Sequence, residues 1–322
     1  MDALTPMSPF LPGTKIQYAW DSTSIGNLKT CARLYQLENI EGWVPKDDNI
    51  HLRFGIEYHS AKHDYETLRA EGHTHDYAVR ETVRNLLRRI KDWNPDVTTR
   101  AGEFKNKFSL LQLVVDNLDY YRNDAAKTVI LENGKPAVEL SFRFDLSWGP
   151  RTGETGEDSY QPYVFCGHLD RVVDYAEEIM ILDSKTTTYT LGPWWFDQWE
   201  PNNQMTGYTF AGRVIYNMPI RGVIVEGAQI LKEDPNKFQR GITYRTDEQL
   251  TEWLTDLQYW FDQAESYAKA GYWPMNDTSC GKYGGCKFRG VCSKSPSVRR
   301  QFLAADFDQL EESARWNPLR NR

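Results

Sequence analysis

Two acids and a lysine stand where a short strand pair could bring their side chains together: Asp170, Asp183 and Lys185. They belong to two β-rich runs, YVFCGHLDRVVDY and IMILDSKTTT, joined by the polar connection Ala176-Glu177-Glu178. If the hairpin closes on Ala176-Glu177, Tyr175 faces Glu178 and Asp170 falls opposite Asp183; a three-residue turn would shift the pairing by one. Opposed Cβ atoms lie about 4.5 to 5.5 Å apart, close enough for two carboxylates to share a cation. Side chains alternate along a strand, so Lys185 takes the face of Asp183 while Ser184 points away. Two adjacent carboxylates are unfavourable without a positive charge and one ammonium compensates only in part, so a divalent metal is the natural completion. Such an ion lowers the pKa of bound water and stabilises charge developing on a phosphate. The other reading is a salt-bridge cluster on the wet face of a sheet. Against it, Met180, Ile181 and Leu182 form a continuous apolar run, as in a central strand covered on both faces.

The elements that must position these groups are written in the periodicity. From Ser24, the residues Ile25, Leu28, Ala32 and Tyr35 recur at helical spacing behind a serine able to cap the first turn, which predicts a helix carrying Cys31. A second helix is predicted over Phe54 to Arg69, with Phe54, Tyr58, Ala61, Tyr65 and Leu68 in one stripe and His59 beside it. Helical spacing continues over 76–92 and 106–122, then gives way to strands near Lys127. Asn133-Gly134 predicts a tight hairpin between KTVILE and KPAVELSFRFDL, and residues 149–161 read as a polar loop. After the acidic hairpin come a helix from Pro201 to Val214, strands over 220–231 and 239–244, and a long helix over 247–270.

With 322 residues, 40% hydrophobic and 26% charged, the chain is long enough for one elaborated domain or two small ones, and one sizeable core with helical additions is the expectation. The opening residues show no leader and no long apolar run occurs, so the expected location is cytoplasmic, with no membrane partner. A net charge of -7 supplies no global attraction to nucleic acid, although metal-holding carboxylates add to the acidic count. Phosphate contacts need only a local basic strip; Arg84, Arg88 and Lys91 are one candidate, with a solvated helix face as the alternative. Trp194, Trp195 and Trp199 could stack on unpaired bases or pack in the core. Five cysteines in such a chain point to metal binding or free thiols rather than disulfides. The five-residue gaps between Cys280, Cys286 and Cys292 are long for zinc knuckles. Cys166 reads as a small buried hydrophobe.

Taken together, G-H-L-D at 167–170 and L-D-S-K-T at 182–186 resemble the nuclease core of RecB-like PD-(D/E)XK enzymes. The family's Gly-x-x-x-His motif is matched by Gly55 to His59, and its Gln-x-x-x-Tyr motif by Gln204 and Tyr208. The resemblance implies an α/β fold: a restriction-endonuclease-like core with a mixed central sheet flanked by helices, helical N-terminal additions and a C-terminal iron-sulfur segment. It divides the chain into residues 1–125, 126–272 and 273–322. It implies a catalytic set of Asp170, Asp183, Lys185, Glu139, Gln204 and Tyr208. Mg2+ or Mn2+ would be held by His59, Asp170, Asp183 and the carbonyl of Ser184, with Glu139 behind those ligands or against the substrate, an outward-facing strand carboxylate being the other reading of Glu139.

The S-x-x-x-L-K-T-C-A-R-L-Y segment around Cys31 and the run C-G-K-Y-G-G-C-K-F-R-G-V-C resemble the iron-sulfur branch of that family, which includes AddB-type and CRISPR-associated nucleases. The resemblance implies a structural [4Fe-4S] cluster on Cys31, Cys280, Cys286 and Cys292, clamping the two ends of the chain. The activity implied is phosphodiester hydrolysis in DNA, as an exonuclease in recombination, repair, phage replication or CRISPR adaptation, with partner proteins of those processes. Two rival readings remain: a non-catalytic DNA-binding or assembly subunit that retains the fold, and a zinc-stabilised RNA-binding protein with aromatic stacking surfaces.

Overall fold

Capping side chains and tight turns set the element boundaries. The computed structural model describes residues 8–46, 49–150, 161–233, 235–282 and 285–320, so most of the polar loop expected over 149–161 lies outside the described residues. In chain order the elements are β1 (Ala19–Trp20), α1 (Ser22–Thr30), α2 (Ala32–Tyr35), β2 (Trp43–Pro45), α3 (Ile50–Ala70), α4 (His75–Arg89), α5 (Arg100–Phe104), α6 (Lys107–Tyr120), β3 (Lys127–Thr128) and β4 (Val138–Asp145). They continue with β5 (Val164–Tyr175), β6 (Glu178–Thr187), α7 (Pro193–Asp197), α8 (Asn203–Ile215), β7 (Gly222–Gln229), β8 (Lys237–Tyr244), α9 (Asp247–Ala270), α10 (Arg289–Cys292), α11 (Arg299–Asp306) and β9 (Phe307–Gln309). None of these helices is long and apolar enough to cross a membrane.

The chain forms two compact units: Met1–Asp47, Ser141–Gly167 and Glu248–Arg322 make the first, Asp48–Leu140 and His168–Asp247 the second. In the second, β5 and β6 pair antiparallel, β6 and β7 parallel, and β7 and β8 antiparallel, with β3 antiparallel to β5. Helices α3 and α8 pack on this mixed sheet, and α4 and α6 pack on α3. The α3 stripe closes as expected: Phe54, Tyr58, Ala61 and Tyr65 are buried with Leu86, Leu110, Leu113 and Val114 from α4 and α6. In the first unit, Trp20 stacks on Tyr35 and Phe261, and Tyr35 contacts Trp273. The two chain ends are joined there by the antiparallel β2–β9 ladder and by the bond from Arg33 N–H to the Pro274 carbonyl.

Three expectations are corrected. Helix α1 is capped by Asp21, whose carboxylate accepts from the Ser24 N–H at 2.8 Å, and it stops before Cys31, which takes an extended backbone (φ -167°) between α1 and α2. Cys31 is thus held at a helix break. The Asn133-Gly134 turn forms, with Gly134 at φ 78°, but only an isolated bridge, Ile130 to Pro136, flanks it. Pro136 has no N–H to extend a ladder, and β3 and β4 each pair with β5 instead. Pro201 lies outside α8, whose cap is Asn202, accepting from the N–H groups of Gln204 and Met205. The basic strip on α4 behaves as a solvated face, since Arg84 is paired with Glu81 at 2.8 Å and Arg88 donates to Asn85.

A buried ionic network runs between α3 and the sheet. Glu226 of β7, fully buried, accepts from Lys62 Nζ at 2.7 Å and from Arg240 of β8 at 2.6 and 3.0 Å. Arg240 also makes two 2.7 Å bonds to Asp124, and Arg171 of β5 pairs with Glu66 at 3.0 Å. Burial alone would raise the Glu226 pKa, but Lys62 and Arg240 outweigh it and hold the group at about 2. A carboxylate depressed in the fold stabilises it above its ordinary pKa of 4.5, and that contribution is lost as pH falls towards 2. The shift corresponds to about 3 kcal/mol. Replacing Glu226 by Gln leaves the buried Lys62 short of an anion and Arg240 with Asp124 alone, and is expected to cost about 3 to 5 kcal/mol at neutral pH. In urea melts the difference between wild type and Glu226→Gln should shrink as pH drops from 5 to 3; a constant difference would contradict the linkage.

Candidate active site

The two-residue turn that closes the acidic hairpin has Ala176 at φ 54° and Glu177 at φ 65°, the left-handed pair of a primed turn. The ladder then runs from Tyr175 opposite Glu178 to Arg171 opposite Leu182, the register the sequence predicts. Beyond that last pair the acids face the site. Asp170 accepts the Ser184 N–H at 3.1 Å and meets His59 Nδ1 at 3.0 Å. Asp183, with no exposed surface, meets Lys185 Nζ at 2.7 Å through Oδ2 and at 3.0 Å through Oδ1. The ammonium also lies 5.6 Å from the centre of the Trp199 indole.

Helix α3 supplies His59, and the strained start of β4 supplies Glu139. Their ligand atoms and one Asp170 carboxylate oxygen all lie within 4.8 Å of one another, a group able to hold a metal ion. Glu139 takes φ 50°, a left-handed conformation that costs a non-glycine residue about 1 to 2 kcal/mol. Strain kept at such a position is characteristic of functional sites. The sequence assigns the metal to His59, Asp170, Asp183 and Ser184; the structure gathers Glu139 with His59 and Asp170, and sets Asp183 against Lys185. His63, one turn after His59 on α3, lines the same cavity as His59, Glu139 and Asp170, a position the motif reading passes over.

Electrostatics separate the two aspartates. Burial pushes Asp183 up to about 6 against the opposing pull of Lys185. Burial acts on Asp170 in the same sense, but His59 and Lys185 outweigh it and lower its pKa. Burial disfavours the charged forms of His59 and Lys185, yet Asp170 raises the first and Asp183 with Asp170 raises the second. Burial and neighbouring charge thus drive two carboxylates of one site in opposite directions.

On α8, Gln204 and Tyr208 share a face through their four-residue spacing, and the Gln204 amide donates to the Tyr208 hydroxyl at 2.7 Å. Burial, then the fields of Asp183 and Asp170, raise the Tyr208 pKa well above its ordinary value, so the phenol stays protonated beside the acids. Of the tryptophans, Trp195 is buried and Trp194 is exposed. Lys62 and Glu226 are the residues that sequence reasoning does not find. The available signal was an acid inside the apolar run Val223-Ile224-Val225 and a lysine within the α3 stripe, both rare unless paired. Ser184 lies opposite Glu226 in the β6–β7 register, which ties the network to the site.

In the first unit Cys31, Cys280, Cys286 and Cys292 line one cavity. The Asn276 N–H donates to Cys31 Sγ at 3.3 Å, and the Cys280 thiol donates to the Asn276 carbonyl at 3.8 Å. All are free thiols, and among the described residues no three of their sulfurs lie mutually within 4.8 Å. Cys166 is buried in β5, and burial pushes its thiol up to about 12, in keeping with an inert apolar role.

Among curated proteins none matches. A solved structure from Eubacterium rectale, described as that of a candidate exonuclease, aligns with a TM-score of 0.47 and 11% identity over 86% of this chain and 89% of that one. The model of the PD-(D/E)XK nuclease superfamily matches residues 22–293. That span begins at α1 and takes in the acidic hairpin, His59, Glu139, Gln204, Tyr208 and all four cavity cysteines, and the chain therefore belongs to the PD-(D/E)XK nuclease superfamily.

Proposed function

We propose that the protein is a metal-dependent deoxyribonuclease, an exonuclease that hydrolyses phosphodiester bonds at DNA ends during recombination, repair or phage replication. The observation that carries this reading is the Asp183–Lys185 ion pair within electrostatic reach of the His59, Glu139 and Asp170 donors. The donors suit a divalent cation: two carboxylates offer hard oxygen, and the imidazole nitrogen favours Mn2+ over Mg2+. In this reading His59, Glu139 and Asp170 hold the ion, with Asp183 and the Ser184 carbonyl completing the set. When bound, the ion supplies Lewis acidity, lowering the pKa of a water and stabilising charge on the phosphate.

The protein's own groups do the positioning. Lys185 keeps its proton, since its carboxylate neighbours raise its pKa, and donates hydrogen bonds that orient the attacking water. Asp183 fixes the direction of that ammonium. Tyr208, held protonated, and Gln204 offer neutral donors to the scissile strand.

Cys31, Cys280, Cys286 and Cys292 are the proposed ligands of a [4Fe-4S] cluster. The support is that all four thiols line one cavity. Held by these cysteines, such a cluster would cross-link the break after α1 to the segment from Cys280 to Cys292, a structural role apart from hydrolysis.

Purified protein with Mg2+ or Mn2+ is expected to degrade linear labelled DNA and spare closed circles, and Asp183→Ala or Lys185→Ala should each slow cleavage at least about 100-fold. Activity that survives in Asp183→Ala, or none in the wild type, contradicts the nuclease reading. Anaerobically purified protein should be coloured and contain iron. Cys286→Ala should lose both the visible absorption and folded yield, whereas Asp183→Ala keeps them; a colourless wild type containing zinc, or an unchanged melt for Cys286→Ala, contradicts the cluster.

A further inference from the structure

Helix α7 follows the strand that carries Lys185, and its first two tryptophans have opposite fates. Trp195 is 4% exposed and Trp194 is 74% exposed. Trp195 seats the helix: a Cβ at Gly227 would come within 3.0 Å of its ring, and Gly227 is the β6–β7 register partner of Lys185. The next residue, Phe196, occupies the space above Gly241 of β8, where a Cβ would lie 2.3 Å from its ring. Two glycines on adjacent strands therefore hold α7 flat against the sheet beside the catalytic lysine. Trp195 also contacts Trp199, at 5.7 Å between ring centres, and Trp199 is the indole that faces Lys185 Nζ. From this docked helix Trp194 projects into solvent and meets Tyr189, itself 60% exposed, at 6.4 Å and 71°. Tyr189 lies two residues beyond the end of β6.

Two large rings kept in water on a fixed support are not core packing. Their free faces suit flat partners, which unpaired bases offer at every position along a strand, whereas a duplex offers only the outer face of its terminal pair. Stacking on aromatic side chains is insensitive to sequence. It also suits a chain of net charge -7, which has little long-range attraction for a duplex backbone.

Resting on the nuclease reading above, we infer that Tyr189 and Trp194 form a stacking platform for unpaired nucleotides next to the scissile phosphate, so the preferred substrate is a single-stranded or frayed end. The platform explains why α7 carries one buried and one exposed tryptophan in succession.

The test measures binding without cleavage. Fluorescence anisotropy of a labelled oligothymidylate and of a blunt two-strand duplex is followed with the full-length protein in EDTA. Trp194→Ala and Tyr189→Ala should weaken oligothymidylate binding about tenfold or more. Duplex binding should stay unchanged, Trp194→Phe should restore binding, and Tyr259→Ala, which removes an equally exposed ring on α9, should match the wild type. Unchanged oligothymidylate affinity in both alanine variants overturns the platform, as does an equal loss for duplex. So does a change of oligomeric state in Trp194→Ala at unaltered affinity, which would make a second copy of the chain the occupant. Protein that binds as expected but cuts nothing when Mn2+ is added leaves the platform standing and defeats the nuclease reading instead.

Discussion

The turn at Ala176-Glu177 sets the phase of everything around it. Because side chains alternate with period two, a slip of one residue between β5 and β6 would send Asp183 and Lys185 to the opposite face. Two adjacent non-glycine residues at positive φ are costly, and the structure keeps both. The cost is offset by the long β6–β7 ladder, from Ile181 to Thr187, and by the buried apolar contacts of Met180 and Leu182 with Val173 and Ile224. The rigid hairpin in turn fixes where Asp170 can meet His59 and where Ser184 can meet the network around Glu226.

Charge balance distinguishes the two polar clusters of this unit. In the network, Lys62, Arg171 and Arg240 face Glu66, Asp124 and Glu226, so the group is neutral within itself and acts as scaffold. In the site, Glu139, Asp170 and Asp183 face Lys185 and His59, and the histidine is charged only when protonated. The group of His59, Glu139 and Asp170 within it is able to hold a metal ion. Removing one partner from the first cluster is a matter of stability, whereas the second is poised for a ligand.

Much of this organisation was legible in the residues. The hairpin register followed from a two-residue turn, and the shared face of Gln204 and Tyr208 from their four-residue spacing once the resemblance had singled them out. What escaped had physical reasons. A period-two pattern cannot reveal that Glu139 leaves regular strand geometry, because the sign of φ is not written in polarity. Lys62 and Glu226 lie far apart in the chain, and only the fold discloses that each answers the other's burial. The break at Cys31 hides inside a good helical stripe, because the stripe runs on from α1 into α2 across it. α7 is too short for periodicity and is held instead by spaces that Gly227 and Gly241 leave open.

The central claim is that His59, Glu139 and Asp170 together grip a divalent ion. Anomalous diffraction at the manganese edge, from crystals grown in Mn2+, addresses it directly. The account requires a strong peak bounded by those three side chains, with Lys185 still against Asp183. Manganese bound elsewhere while the three side chains carry no peak, or Glu139 turned away from the other two, would contradict it.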